Sequence, residues 1–285
     1  MSNVEIVAEV GSNWYTDNRS RARGNVVRSI AEAASAGATI VKFQIFTADT
    51  LYSKERAPAA WENIKKYEFP IDVLPDAHAM AIHVGVKLWA TVFSPSLLDA
   101  IPLTYLDGIK VASGDLTYTE LLKAMAKKSA LHKIPLAISI GAANAQEIRE
   151  AITTARLFDV HSLVMFYCVS SYPAPLESMN LASGMIFRDQ VDAVGFSDHT
   201  LGCGAAVVAT CLGYTYFEKH FAGWDSEVTP DTSVSMNPDR FREYSNTIVG
   251  TQVIIGTSEK LIYRGEMSER INARRGPDGL RPAIA

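Results

Sequence analysis

Two short stretches of the chain each place a histidine beside an acidic residue, a combination that suits metal chemistry. His199 lies in GFSDHTLG (195–202) and His220 lies in FEKHF (217–221), and each follows a short apolar run. Neutral imidazole binds Mn, Fe, Zn or Co, with water and substrate oxygens at the remaining positions. Spacing alone leaves two interpretations open: a pair of metal ligands, or two histidines that hydrogen-bond within the core.

Two lysines lie inside apolar runs, where an ammonium group is costly unless it is paired. Lys42 is in ATIVKFQIF (38–46) and Lys110 is in GIKVAS (108–113). Two inward ammonium groups, with nearby hydroxyls and glycine-flanked amides, would bind a multiply charged anion such as a phosphate. Further polar residues follow or end the apolar runs: Glu9, Asn13, Gln44, Thr91, Ser113, Asp115, Ser139, Tyr172, Ser197, Asp198 and Glu218.

Eight short runs of β-branched and aromatic residues predict eight strands. They span 4–10, 38–46, 86–93, 108–113, 134–140, 162–169, 192–197 and 214–221. The segments between them show helical apolar spacing, as in 25–37, which ends on a glycine suited to a helix C-cap. Strands that alternate with helices indicate a parallel sheet with right-handed crossovers. Eight such units predict a (β/α)8 TIM barrel, whose active site lies at the carboxyl ends of the strands.

A doubly wound open sheet is the alternative fold. The count of eight and the lack of a G-x-G-x-x-G turn after the first strand both weigh against it. We predict one catalytic domain over 1–263, followed by a polar C-terminal arm or truncated linker over 264–285. The segment 47–69, rich in Lys, Glu and aromatic residues, is expected to be an insertion that covers the barrel mouth.

Composition narrows the class of protein. The chain has 285 residues, is 48% hydrophobic and carries a net charge of −4, which allows a large core but argues against a nucleic-acid or anionic-membrane surface. No run reaches the roughly 18 apolar residues of a membrane span, and the N-terminus lacks a basic signal-peptide region. We therefore expect a cytoplasmic protein with no membrane partner. Its three cysteines are expected to be buried free thiols.

Eight ordered blocks of the chain resemble the sialic acid synthase family, the phosphoenolpyruvate-condensing (β/α)8 enzymes that make N-acetylneuraminate and related nonulosonates. The blocks are IVAEVGSNW, AGATIVKFQIF, IKVASGDLTYTELL, PLAISIGAA, CVSSYPAP, VGFSDHTLG, FEKHF and PDTSVSMNP. The resemblance runs from about residue 4 to about residue 250. It implies a transferase that joins phosphoenolpyruvate to an amino-sugar aldehyde such as N-acetylmannosamine. It also implies a divalent metal, usually Mn²⁺ with Mg²⁺ or Co²⁺ as alternatives, and a homodimer.

Carried over position by position, the resemblance implies a role for each site residue. It makes His199 and His220 the metal ligands. It implies that phosphoenolpyruvate is bound by Lys42, Thr91, Lys110, Ser113, Ser139 and Ser197. It implies that the acceptor sugar is bound by Asn13, Gln44, Tyr172 and Asp231. The implied catalytic residues are Glu9, Asp115 and Lys110, with the two carboxylates as general bases for the attacking water.

The chain departs from the family pattern mainly on the acceptor side. Trp14 follows Asn13 where the family usually has histidine, and this bulky side chain is expected to reshape the acceptor pocket. Asp115 stands where glutamate is usual, and Ser170 where asparagine is usual. Family members typically continue into an antifreeze-like domain, whereas this sequence ends at Ala285, near the start of the expected linker.

Three other interpretations stay open from the residues alone. Lys42 or Lys110 could form a Schiff base in an aldolase of the same fold. The deoxy-octulosonate and deoxy-heptulosonate phosphate synthases share the condensing chemistry, but they need a second anion site that the sequence does not show. The third interpretation is a catalytically inactive barrel that binds sugar.

Overall fold

The structure is a computed structural model that describes residues 4–282, apart from the side chains of residues 19 and 20. Eight parallel strands form a closed barrel in sequence order, which confirms the predicted (β/α)8 fold. The strands are β1 (Glu5–Gly11), β2 (Ile40–Ile45), β3 (Lys87–Val92), β4 (Gly108–Val111), β5 (Leu136–Ser139), β6 (Leu163–Tyr167), β7 (Ala193–Asp198) and β8 (Tyr216–His220). Every strand end lies within two residues of its prediction.

Helices alternate with the strands along the chain and supply most of the crossovers of the barrel, and the last helix follows in the second unit described below. They are α1 (Arg19–Ser35), α2 (Ala48–Leu51), α3 (Pro58–Lys65), α4 (Leu74–Val84), α5 (Pro95–Ala100), α6 (Thr119–His132), α7 (Ala145–Arg156), α8 (Gly204–Leu212), α9 (Pro238–Ile255) and α10 (Met267–Asn272). Gly37, just after α1, has a φ of +95°, as expected for a glycine that ends a helix. The crossover between β6 and β7 is different, because Leu181–Gln190 forms a 3-10 helix there.

Two layers of inward-facing side chains fill the barrel. The layer near the strand starts is apolar and consists of Val7, Ile40, Trp89, Ala137, Val164 and Phe166. Gly108 faces Trp89, and a Cβ at that position would overlap the indole ring. Because side chains on one face of a strand repeat every second residue, the next inward positions are two residues further along each strand. Those positions carry the polar side chains of the site.

The segment after β2 lies against the loop that follows β1. The Trp14 and Phe69 ring centroids are 5.6 Å apart, and those of Tyr15 and Tyr67 are 4.8 Å apart. The segment predicted as a mouth cover (47–69) contains α2 and α3, and none of its residues lines the interior cavity described below.

The chain divides into two compact units, the first ending at Gln252 and the second beginning at Val253. The predicted boundary after residue 263 falls inside the second unit. No helix within residues 4–282 is long and apolar enough to cross a membrane.

The three cysteines are free thiols, as expected, but they are not all buried. Cys168 is buried, Cys203 is partly buried and Cys211 is exposed. The expectation of three buried thiols is therefore wrong for Cys211, which lies on the exposed side of α8, and only partly met for Cys203. An apolar neighbourhood in the sequence does not distinguish the inner from the outer face of a helix.

Candidate active site

An interior cavity lies where the barrel strands end, and it collects most of the residues that the sequence singled out. All six predicted phosphoenolpyruvate-binding residues line it, as do Glu9, Gln44, Tyr172 and both candidate metal ligands. Four further lining residues were given no role by the sequence: Phe93, Ala112, Cys168 and Glu218. Asn13, Asp115 and Asp231 do not line the cavity. The strand ends thus bring together residues that are far apart in the sequence, as a barrel enzyme requires.

Lys42 lies at the centre of one group of charges. Its ammonium is ion-paired with Glu9, lies 3.4 Å from Glu218 Oε2 and donates to Thr91 Oγ1 at 2.9 Å. Gln44 Nε2 donates to the other oxygen of Glu9 at 2.7 Å. Burial opposes the charge on Lys42, but the carboxylates of Glu218 and Glu9 outweigh that cost and raise the pKa of the lysine. Lys42 is therefore a cation in this site.

Lys110 shares Glu218 with Lys42 but has fewer partners. The Lys110 ammonium lies 2.5 Å from Glu218 Oε1 and 4.5 Å from the centroid of the Phe166 ring. Burial lowers the pKa of Lys110, because Glu218 offsets only part of the desolvation cost and the charge of Lys42 adds to it. Burial alone would raise the pKa of Glu218, yet the two lysines hold it below its usual range. Two ammonium groups and two carboxylates thus balance one another.

Hydroxyl groups and one thiol surround this charge cluster. Ser197 Oγ donates to Glu218 Oε1 at 2.8 Å, and Ser113 Oγ lies 3.1 Å from Cys168 Sγ. Gly141, just after β5, faces the same corner. A Cβ there would come within 2.7 Å of Cys168 Sγ and 2.9 Å of Ser113 Oγ. A glycine at this position therefore lets the backbone after β5 approach the hydroxyl groups of the site.

The two histidines lie side by side at the carboxyl ends of β7 and β8. Their ring centroids are 5.7 Å apart. The carbonyl of Val169 is 2.8 Å from His199 Nδ1 and can only accept, so Nδ1 carries the hydrogen and Nε2 keeps a lone pair. Burial, and then the neighbouring His220, lower the pKa of His199 to about 4. A neutral ring with a fixed tautomer is the form in which histidine binds a metal.

The surroundings of His220 differ from those of His199. Its buried Nδ1 has no hydrogen-bond partner, and Asp231 Oδ1 lies 3.6 Å away. The donor set therefore supplies two imidazoles, one whose Nε2 lone pair lies 3.3 Å from Ser197 Oγ and one with an unpartnered ring nitrogen. Within residues 4–282 no group of three or more His, Cys, Asp or Glu side chains is arranged to hold an ion. The residues fit a divalent metal that takes two protein ligands and fills its other positions with water or substrate oxygens.

Asp231 and Asn13 connect the β1 and β8 loops. Asp231 Oδ2 accepts from Ser12 N at 2.8 Å and from Ser12 Oγ at 2.6 Å. Asn13 Nδ2 donates to Phe221 O at 2.9 Å. Both predicted acceptor-binding residues are thus engaged in holding the rim together, and their proposed contact with a sugar stays a prediction.

Asp115 and Trp14 lie away from the interior cavity. Asp115 is in a 3-10 turn after β4 (Ser113–Asp115), and burial raises its pKa to about 6. Trp14 is only 3% exposed and lines a separate cavity of about 730 Å³ beside the β1 loop. Trp14 does not line the interior cavity, because its indole packs edge-on against Phe69. The expectation that Trp14 shapes the acceptor pocket therefore finds no contact to support it.

Glu218 is the main site residue without a predicted role. The sequence shows it at the end of a strand, two residues before His220, so the two share a face. That spacing signals an inward carboxylate. What the sequence does not show is that Glu218 meets Lys110, which is 108 positions earlier, across the barrel.

The fold and the site define the class of protein: a (β/α)8 barrel whose cavity at the carboxyl ends of the strands is lined by two buried lysines and two histidines. The model of the NeuB family matches residues 29–260, and the chain belongs to that family. This confirms the resemblance to the sialic acid synthases seen in the sequence.

Two curated relatives and one crystal structure show what the chain is similar to. It is 31% identical over 288 residues to the N,N'-diacetyllegionaminic acid synthase of Legionella pneumophila, covering 95% of this chain and 78% of that protein. It is 28% identical over 281 residues to the pseudaminic acid synthase of Helicobacter pylori, covering 93% and 79%. The N-acetylneuraminic acid (sialic acid) synthetase of Leptospira borgpetersenii, crystallised with citrate, has a TM-score of 0.80 at 24% identity, covering 94% and 90%. The last likeness supports the fold alone.

Proposed function

We propose that the protein condenses phosphoenolpyruvate with the open-chain aldehyde of an amino sugar, giving a 2-keto-3-deoxy sugar acid and phosphate. The observation that carries this proposal is the pair of buried lysines in the interior cavity, surrounded by the hydroxyls of Thr91, Ser113 and Ser197. Such a cavity suits a small, multiply charged anion. The curated relatives with assigned products make sialic acid-like sugars, which supports an amino sugar as the second substrate.

The ion pairs in the cavity indicate which lysine the phosphate group would bind. Glu218 holds both lysines, so an incoming phosphate competes with this carboxylate for Lys110. Lys110 is the better phosphate partner, because Lys42 keeps a second carboxylate in Glu9. The enclosed space is only about 80 Å³, so the two substrates together would lie only partly within it. The acceptor would therefore extend into the open mouth, past Gln44 and Tyr172.

The proposed reaction forms one carbon–carbon bond and breaks one carbon–oxygen bond. C3 of phosphoenolpyruvate attacks the aldehyde carbon, and the aldehyde oxygen takes up a proton as it becomes a hydroxyl. The positive charge that develops at C2 is met by water, which gives its proton to Glu9 or Asp115 as general base. The C2–O bond to phosphate then breaks while the new C2 hydroxyl gives its proton to the leaving phosphate, and C2 becomes the ketone. Lys42 and Lys110 offset the charge of the phosphate throughout.

The two histidines would hold a divalent metal at the mouth. When bound, such an ion supplies Lewis acidity at the aldehyde oxygen and fixes the acceptor in register. Manganese is our first proposal, with magnesium and cobalt as alternatives. His199 would contribute a neutral nitrogen ligand, since burial lowers the pKa of its ring to about 4, and His220 would contribute the second imidazole. The homodimer and the cytoplasmic location stay predictions.

A phosphate-release assay tests the proposal. The purified protein is incubated with phosphoenolpyruvate and a panel of hexosamines that includes N-acetylmannosamine, with Mn²⁺ or with a chelator. We expect acceptor-dependent phosphate release that Lys110→Ala abolishes. Lys128→Ala is the matched control, because Lys128 is paired with Asp99 on the surface, and it should keep full activity. Phosphate release that persists in Lys110→Ala would refute the assigned role, and a protein that binds sugars without turnover would be the inactive barrel.

One observation favours a second candidate function. Burial lowers the pKa of Lys110, and a lysine with a lowered pKa is what a Schiff-base aldolase uses as its nucleophile. Borohydride reduction in the presence of pyruvate or an aldehyde distinguishes the two reactions. A covalent adduct on Lys110 would establish the aldolase, whereas a phosphoenolpyruvate synthase forms no imine and gives no adduct.

A further inference from the structure

A second buried ion pair lies on the opposite face of the two strands that carry the histidines. Asp198 and Lys219 are register partners in the β7–β8 ladder, and each directly precedes a histidine in the sequence. The Lys219 ammonium is 3.4 Å from Asp198 Oδ1, and the two side chains are 1% and 0% exposed. His199 and His220 line the cavity, so by strand alternation Asp198 and Lys219 face outward, towards the surrounding helices. No proposed step of the reaction uses them.

The ion pair is bonded to the residue that follows His199. Asp198 Oδ1 accepts from Thr200 N at 2.8 Å and from Thr200 Oγ1 at 2.7 Å. The Lys219 ammonium donates to the carbonyl of Thr200. His199 therefore lies between Asp198 and Thr200, two residues that the same network fixes. One end of the network, Lys219, is on the strand that carries His220.

Stability alone does not explain such a pair. Desolvating two charges is expensive, and well-packed apolar residues of similar volume often do as well or better. Burial lowers the pKa of Lys219, with Asp198 offsetting part of the cost. The pair does constrain geometry, because its hydrogen bonds to Thr200 fix the backbone just after β7. Groups that hydrogen-bond metal-binding histidines directly orient them and affect metal affinity strongly. Asp198 and Lys219 would act one step further out, through the backbone on either side of His199.

We propose that Asp198 and Lys219 are positioning residues that fix His199 relative to His220 through Thr200. The inference rests on the proposed role of the histidines as metal ligands, but it has a consequence in the metal-free protein as well. With the network intact, His199 stays against the carbonyl of Val169 and keeps one tautomer. Without the network, the ring is free to turn and both tautomers become populated.

The test uses the double variant Asp198→Asn/Lys219→Met, which removes both charges and leaves none unpaired. Its matched control is Glu5→Gln/Lys87→Met, which removes a cross-strand ion pair near the strand starts, away from the histidines. The first readout is the ¹⁵N NMR spectrum of metal-free protein labelled at histidine, with His199 assigned by its loss in His199→Gln. We expect the two ring-nitrogen shifts of His199 to move towards each other in the double variant and to stay unchanged in the control.

The second readout is the affinity for Mn²⁺, measured by titration calorimetry. We expect a loss of about 10-fold in the double variant, the lower end of the range for groups bonded directly to metal ligands, because this network acts on His199 through the backbone. We expect no loss in the control. Unchanged ¹⁵N shifts in a folded double variant would overturn the positioning role. If the ¹⁵N shifts of His199 move in the double variant but the wild-type protein binds no Mn²⁺, the positioning role is supported and the proposed metal site is refuted.

A milder variant covers the case in which the double variant fails to fold. Thr200→Val removes only the hydroxyl bond to Asp198 and preserves the charges. We expect a smaller movement of the His199 shifts in the same direction and a smaller loss of Mn²⁺ affinity. Wild-type shifts and affinity in Thr200→Val would then decide against the proposal.

Discussion

Trp89 and Lys110 belong to two layers of side chains inside the same barrel. Trp89 lies in the apolar layer near the strand starts and is 1% exposed. Lys110 lies in the next layer along the strands, and its ammonium is 4.5 Å from the ring centroid of Phe166, a member of the apolar layer. On seven of the eight strands, a step of two residues changes an inward apolar or glycine position into an inward polar one, as from Ile40 to Lys42.

The two layers contribute differently to the free energy of folding. A fully buried large apolar side chain stabilises the fold by about 1.5–3 kcal/mol. A buried ion pair costs several kcal/mol per ion in desolvation, and its mutual attraction repays that cost only when the geometry is good. The comparison indicates that the apolar layer stabilises the barrel, whereas the charged layer is retained for binding and catalysis. Variants in each layer should then separate stability from activity.

The largest expected effect comes from replacing the central ion pair by apolar residues. The double variant Lys110→Met/Glu218→Leu removes both charges of this pair. Replacing a buried ion pair by apolar residues is often neutral or stabilises the fold by about 1–4 kcal/mol. Activity should nevertheless fall below detection, because the proposed phosphate partner is gone. Thermal unfolding and phosphate release measure the two quantities.

The single variant Glu218→Gln is the contrast to this double variant. It leaves Lys110 and Lys42 with one carboxylate between them, so the free energy of unfolding should fall by about 3–5 kcal/mol. A double variant that is less stable than Glu218→Gln would contradict the idea that the charged layer is a cost to folding.

The next effect is a loss of stability with activity preserved. Trp89→Ala leaves a cavity in the apolar layer, and truncations of this kind cost about 3–5 kcal/mol. Activity per folded molecule, measured at low temperature, should change little because the indole does not line the interior cavity. Trp224→Ala is the matched control: Trp224 is 56% exposed, and its loss should change stability by less than about 0.5 kcal/mol. If Trp89→Ala removed activity while the protein stayed folded, the separation between the layers would fail.

The sequence predicts the barrel well because its signal is repeated. Each strand is a short apolar run, and eight of them with helices between leave few topologies. The inward side chains were equally predictable, since a lysine such as Lys42 in an apolar strand has to face a polar interior. The 3-10 crossover over Leu181–Gln190 was not predicted, because close packing determines it: a Cβ at Gly184 would overlap the Tyr214 hydroxyl.

Contacts across the barrel are what the sequence could not supply. That Glu218 rather than Glu9 pairs with Lys110 depends on how the strands close into a ring. The position of the Trp14 side chain depends on its contact with Phe69, a residue of the segment after β2. Distances between residues on non-adjacent strands are set by closure and by the packing of loops, and neither leaves a local pattern.

The smallest effect concerns the general base, for which there are two candidate carboxylates: Glu9 inside the charged layer and Asp115 outside the interior cavity. Burial raises the pKa of Asp115 to about 6, so this group is protonated below pH 6 and cannot accept a proton there. If Asp115 is the base, kcat/KM should fall about tenfold per pH unit below pH 6, and Asp115→Asn should remove this limb. Glu120→Gln, an exposed change on α6, should leave the profile unaltered. A limb near pH 6 that persists in Asp115→Asn would exclude Asp115 and leave Glu9, inside the charged layer, as the base.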